Sequence, residues 1–315
     1  MKKISIIGFG GHVIKNILPA FIRSNVIEIE GVYVRNLRRY KDICSIYNLD
    51  IFSVNEISSS EAEWFYIATP IATHYDLVKK CLLLKKNVIC EKPLTLSKNF
   101  AVDLYKIADD NNVILYEVDM YKHHNQYKHL KEEVNNNSHN IRSLSVKFSI
   151  PHLDNKDIRY NSELGGGALR DVGYYPISLI MSLFQSSSNI NSSIFSEEGY
   201  TVDLFGSAIF SYDNFYCIAE WGIGQPYENK VTLITENSEI LYDRIFSKPH
   251  DYKTNVVTKK AGEIEENNLG HDDQFLNMFF NIPQSKNENL LHNKDTSILV
   301  HNTMDLIKSN GPFLS

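Results

Sequence analysis

Between Lys2 and Glu117, short β-branched runs (ISIIG, IEIEGVYV, WFYIA, NVICE and VILYE) alternate with longer amphipathic stretches such as THYDLVKKCLLLKK. Apolar runs separated by segments of helical period predict a parallel sheet covered by helices on both faces. Ligands of such sheets sit at the carboxyl ends of the strands. The polar irregularities of this half fall at those ends: Gly8 to Gly11, Arg35, Thr69 to His74, and Glu91 to Pro93. Beyond about Met120 the texture changes. RSLSVKFSI, DLFGSAIFSY, FYCIAEWGI and KVTLITENSEILY alternate apolar with polar positions, which predicts an antiparallel sheet with one buried face. The segment GGGALRDVGYYPISLIMSLF interrupts them with a glycine turn and an apolar helix. The expected fold class is therefore α/β: a doubly wound parallel sheet over residues 1–118, then a second α/β domain over 119–315 with an open, mostly antiparallel sheet.

Composition narrows the function classes. At 315 residues the chain exceeds the size at which one hydrophobic core stops growing, which favours two domains. A net charge of -6 argues against a sequence-independent nucleic-acid binder, since that binding needs clustered, uncompensated Lys and Arg. Cys44, Cys81, Cys90 and Cys217 lack metal-ligand spacing and read as buried thiols of a reducing compartment. No run is apolar for long enough to span a bilayer, and MKKISIIGFGG carries no small-residue cleavage site. The expectation is a soluble cytoplasmic protein with small-molecule partners, no metal, no nucleic acid and no membrane.

The first candidate chemistry lies in IIGFGGHVIKNILPAF. Gly8 and Gly10 fall after a strand and before a helix, where a pyrophosphate meets free N–H groups and the positive end of the helix dipole. Val13 replaces the third glycine of the usual fingerprint, so a plain strand-to-helix turn stays open as an alternative. Gly8, Phe9, Gly10, Gly11, His12 and Val13 form this candidate cofactor turn. At the end of the second strand, GVYVRNLRRY places Val34 where NAD binders carry an acid, followed by Arg35 and Asn36, with Arg38 and Arg39 close behind. A guanidinium there suits a ribose 2'-phosphate, so NADP(H) is expected over NAD(H), with Arg35, Asn36 and Arg39 as contacts. A solvated helix start is the competing explanation of these arginines.

Two longer stretches, ATPIATHYDLVKKCLLLKKNVICEKPLTLS from Ala68 to Ser97 and GGGALRDVGYYPI from Gly165 to Ile177, resemble the Gfo/Idh/MocA oxidoreductases. The resemblance implies an N-terminal Rossmann domain and a C-terminal α/β domain whose open sheet makes a homodimer or homotetramer. It also implies that Lys92 hydrogen-bonds or protonates a carbonyl oxygen as hydride reaches its carbon, that the Lys92–Pro93 bond is cis, and that Glu91 contacts the cofactor. Asp171 matches an aspartate that orients substrate hydroxyls or the catalytic partner. Tyr175 matches a position where some branches carry a tyrosine able to share the acid's work with Lys92. Ala68, Thr69, Pro70 and His74 match a loop along the cofactor, His74 being equally well placed to cap a helix.

Tyr121, Lys122 and Arg159 are further substrate candidates, although Lys122 and Asn125 depart from the arginine and proline usual in the family. Trp221 and Tyr227 read either as stacking surfaces or as core. His271, Asp272 and Asp273 fit a helix N-cap better than a metal. The resemblance implies an NADP-dependent oxidoreductase interconverting a sugar hydroxyl and a ketone. The narrower expectation is reduction of a nucleotide-linked ketosugar in surface glycan biosynthesis. A dehydrogenase of a free sugar, inositol or dihydrodiol, and a non-catalytic NADP-binding sensor, are the alternatives.

Overall fold

The computed structural model describes residues 2–282, 288–310 and 313–314. Two compact units divide the chain: Met1–Val118 with Phe275–Ile298, and Asp119–Gln274 with Leu299–Ser315. The second domain expected over 119–315 is interrupted, because Phe275–Ile298 returns to the first unit. Packing explains the return, because Phe279 lies 4.2 Å from the ring of Phe21, and Asn293 and Ser297 both bond to Glu117.

The first unit runs β1 (Lys2–Ile7), α1 (Leu18–Ser24), β2 (Ile27–Val34), α2 (Leu37–Ile46), β3 (Ile51–Ser53), β4 (Trp64–Ile67), α3 (His74–Leu83), β5 (Asn87–Cys90), α4 (Lys98–Asp110) and β6 (Leu115–Glu117). Its strands lie in the order β3-β2-β1-β4-β5-β6, every pair parallel. Strands covered on both faces need apolar side chains throughout, and all four residues of β4 are buried. The order reverses between β1 and β4, which creates a crevice at their carboxyl ends. A π turn over Val13–Ile17 precedes α1, and Pro19 near the start of α1 has no N–H to continue the regular ladder.

The second unit contains α5 (Asn125–Asn136), β7 (Ile141–Ile150), α6 (Ala168–Asp171), α7 (Tyr174–Phe184), β8 (Asn189–Phe195), β9 (Phe205–Ser211), β10 (Tyr216–Ile223), β11 (Glu228–Thr235), β12 (Ser238–Asp243), β13 (Lys253–Lys260) and β14 (Glu263–His271). Near the unit boundaries follow α8 (Gln274–Asn281), α9 (Glu288–Asn310) and β15 (Phe313–Leu314). The sheet order is β14-β13-β12-β11-β7-β10-β9-β8-β15, antiparallel except for the β7/β10 and β8/β15 pairs. The apolar helix α7 packs on β7 and β10, against the face that carries Leu144, Val146 and Phe148. Complete burial of Ile177, Leu179 and Ile180 favours this packing by about 1.5–3 kcal/mol for each side chain. No helix among the described residues is long and apolar enough to cross a membrane.

Candidate active site

In the first unit the strand ends form one row. Gly8 N–H donates to Tyr33 O, Ala68 N–H to Ile7 O, Glu91 N–H to Ile67 O and Val118 N–H to Cys90 O. Gly8 has φ +90°, and a Cβ there would lie 2.7 Å from Ala68 O, so only glycine lets β1 turn this close to the 68–70 loop. Over Gly10 and Gly11 an added Cβ would meet nothing within 4 Å. That open space above the first turn of a helix, whose leading N–H groups have no intrahelical acceptor, fits a dinucleotide pyrophosphate. Arg35, Arg38 and Arg39 are exposed just past β2, and Asn36 Oδ1 accepts the Arg39 N–H at 3.2 Å, capping α2. Val34 is buried, so no acid occupies the ribose position.

The residue pair Glu91–Lys92 closes β5. The Glu91 carboxylate accepts hydrogen bonds from His12 Nε2 at 2.9 Å and from the Tyr66 hydroxyl. Asn16 Nδ2 donates to His12 Nδ1 at 3.0 Å and so sets the ring. Burial by itself raises the pKa of Glu91, but His12, Tyr66 and Lys92 outweigh it and hold the group at about 2. Glu91 therefore anchors the glycine turn to the end of β5. Lys92 is half-buried, and the Lys92–Pro93 peptide is cis. The backbone on either side of Pro93 is fixed: His74 Nδ1 lies 3.0 Å from Pro93 O, and Glu117 Oε1 accepts the Leu94 N–H at 2.6 Å. His74 is fully buried, with Nε2 2.7 Å from Thr69 O, so it ties the 68–70 loop to the Pro93 turn and is not part of an exposed wall. Burial lowers its pKa although both carbonyls act to raise it.

In the second unit Tyr175 sits on the first turn of α7, 9% exposed. Rings of Phe148 at 5.1 Å and Phe246 at 5.3 Å pack on it, and its hydroxyl points toward Met120 Sδ at 4.0 Å. Arg159 and Asp171, expected separately along the substrate, form one pair: Arg159 Nε donates to Asp171 Oδ2 at 2.5 Å and Nη1 to Asp157 at 3.2 Å. Asp171, then burial, then Asp157 act on the guanidinium, and the net effect raises its pKa. Gly167, with φ +117°, permits the turn into α6, where Asp203 Oδ2 accepts the Leu169 N–H at 2.6 Å.

Burial corrects two expectations and decides a third that was open. Tyr121 is fully enclosed with its hydroxyl 2.8 Å from Ser178 Oγ, so it packs the unit and does not face substrate. Lys122 is nearly buried and donates to Asp119 Oδ2 at 2.5 Å. Trp221 is buried against Gly206 and Gly173, which settles its two readings in favour of core. Sequence reasoning missed Asp119 and Glu117. Asp119 collects Lys122, the Tyr174 hydroxyl at 3.1 Å and the Ser178 hydroxyl at 3.0 Å. Glu117 was visible as an acid ending an apolar run, like Glu91, yet nothing local distinguished it. Asp272 accepts the Asn125 N–H at the start of α5, a capping contact of the expected kind on a different helix.

Residues 2–119 match the model of an oxidoreductase family with an NAD-binding Rossmann fold, GFO_IDH_MocA, and residues 130–240 match the GFO/IDH/MocA C-terminal domain. A dTDP-3,4-didehydro-2,6-dideoxy-alpha-D-glucose 3-reductase from Streptomyces violaceoruber is 26% identical over 278 residues, covering 86% of this chain and 81% of that protein. An NADP(+)-dependent D-xylose 1-dehydrogenase from Haloferax volcanii is 25% identical over 213 residues, 66% of this chain and 65% of its own. Among solved structures, a 3-ketoreductase from Actinomadura kijaniata in complex with NADP and TDP-benzene superimposes with a TM-score of 0.92 at 22% identity, covering 99% of this chain and 98% of that one.

Proposed function

Because this chain belongs to the Gfo/Idh/MocA family of oxidoreductases, we propose that it is an NADPH-dependent reductase of a keto group on a nucleotide-linked deoxysugar. The observation that carries the reading is the alignment, over most of both chains, with 3-reductases acting on a dTDP-linked didehydro-dideoxyglucose. The open turn over Gly10 and Gly11 takes the cofactor's pyrophosphate, and Arg35 takes its 2'-phosphate. When bound, the cofactor supplies hydride to the carbonyl carbon. Lys92 polarises the carbonyl oxygen, Tyr175 delivers the proton that completes the alcohol, and the Arg159–Asp171 pair holds sugar hydroxyls. Glu91 keeps the glycine turn and the Lys92 turn in register.

Burial of all four free cysteines supports a reducing compartment, the cytoplasm. Exposed Ile209 and Tyr216 on adjacent strands of the large sheet support self-association through that sheet.

The test is a stopped assay of a thymidine-diphosphate-linked 3-ketodeoxyhexose with NADPH and with NADH. The expected result is turnover with NADPH preferred about tenfold or more, a preference that Arg35→Asp abolishes. Turnover of a free aldose with NADP(+) and none of the ketosugar would replace this reading by sugar oxidation. Binding of NADPH without turnover of either would replace it by a sensor.

A further inference from the structure

The second unit holds an arginine in an elaborate setting that the roles above do not use. Arg244 follows β12, with its guanidinium carbon 5.3 Å from the ring centre of Tyr227 and 5.4 Å from that of Tyr252. Its backbone lies in the left-handed region, φ +50°, which residues with side chains seldom adopt. A single buried residue fixes this conformation. Asn229 on β11 accepts the Arg244 N–H through its backbone carbonyl at 2.6 Å and the Phe246 N–H through side-chain Oδ1 at 3.0 Å. Its Nδ2 donates to the Tyr227 hydroxyl and to Ser247 O, each at 3.1 Å. Ring and turn are thus held by the same residue, through its backbone and its side chain together.

Contact with the two rings uses none of the guanidinium's five N–H donors as conventional hydrogen bonds, which leaves them for a planar or tetrahedral anion. Arg244 has no ion pair among the described residues, and both it and Tyr227, 43% exposed, reach solvent. The cluster is continuous with Tyr175. Phe148 lies 5.1 Å from the Tyr175 ring and 6.4 Å from the Tyr227 ring, so one ring separates the candidate proton donor from the aromatic partner of Arg244. A substrate whose ketone meets Tyr175 would extend its other end along this aromatic run, and in a nucleotide-linked sugar the anionic group next to the sugar is the diphosphate.

We propose that Arg244, in contact with the rings of Tyr227 and Tyr252, binds the diphosphate of the substrate. The assignment rests on the nucleotide-linked reading of the function. Thymidine diphosphate is the probe, titrated calorimetrically into protein saturated with NADPH, with NADPH affinity and melting temperature measured in parallel. The expected result is that Arg244→Ala weakens thymidine diphosphate binding by about ten- to a hundredfold, the effect of losing charge-assisted hydrogen bonds, while NADPH affinity is unchanged. Arg244→Lys keeps the charge without the planar fork and is expected to weaken binding severalfold with an unchanged melting temperature, so a folding defect in the alanine variant cannot mimic the result. Equal thymidine diphosphate affinity in the wild type and both variants would overturn the Arg244 assignment alone. If the wild type takes NADPH but no thymidine diphosphate, the nucleotide-linked reading falls, and this proposal with it.

Discussion

In the first unit a nearly buried carboxylate, Glu91, meets the donors of His12 and Tyr66 and is held at about 2, so it stays charged. In the second unit a buried ammonium, Lys248, lies two residues beyond Phe246 and meets the neutral oxygens of Ile245 at 2.8 Å and Gln274 at 3.4 Å. Burial pushes Lys248 down to about 7, with Asp272 opposing only in part. The difference shows what each unit preserves. The first maintains a fixed charge that joins two loops of a cofactor turn. The second surrounds Tyr175 with rings and tolerates a lysine that gives up its proton near neutrality.

The comparison breaks first at Lys92 of the first unit and Tyr175 of the second. Tyr175→Phe and Lys92→Ala are each expected to lower kcat by roughly 10²–10⁴-fold with NADPH affinity retained, measured by steady-state kinetics and calorimetry. A change smaller than tenfold in both would remove them from the chemistry. Next in size is Asp119→Ala, which strands Lys122 in a nearly buried position. Chemical denaturation is expected to show a loss of about 3–5 kcal/mol, and a loss under 1 kcal/mol would mean that water reaches the ammonium.

The two buried charges sharpen the contrast through pH. The folded Glu91 binds its proton near 2 and the unfolded one near 4.5, so its stabilisation is fully present above 4.5 and drains as the pH falls toward 2. That contribution is about 3 kcal/mol, and Glu91→Gln is expected to flatten the acid limb of the stability curve. For Lys248 the unfolded state binds the proton up to 10.5 and the folded state only up to about 7, so stability rises with pH between these values. The slope is at most about 1.4 kcal/mol per pH unit. Lys248→Met should remove it, and melting temperatures recorded from pH 7 to 10 check this; an unchanged slope would assign it to another group.

Much of this molecule was legible in its sequence because the signals were local. Continuous apolar runs marked strands buried on both faces, alternation marked the second sheet, and glycines after β1 marked a turn that no larger residue makes. The positions of Lys92 and Tyr175, next to a strand end and a helix start, were likewise readable from their neighbours. Tertiary structure alone decided that Tyr121 and Lys122 turn inward, that Arg159 pairs with Asp171, and that Phe275–Ile298 belongs with the first unit. It alone joined His12 to Glu91 across 79 residues and Ser297 to Glu117 across 180, and set Arg244 against two tyrosines. Periodicity records which face of an element is buried, but a hydrogen bond or ring contact between distant segments depends on where the folded backbone carries each side chain, and no local pattern encodes that.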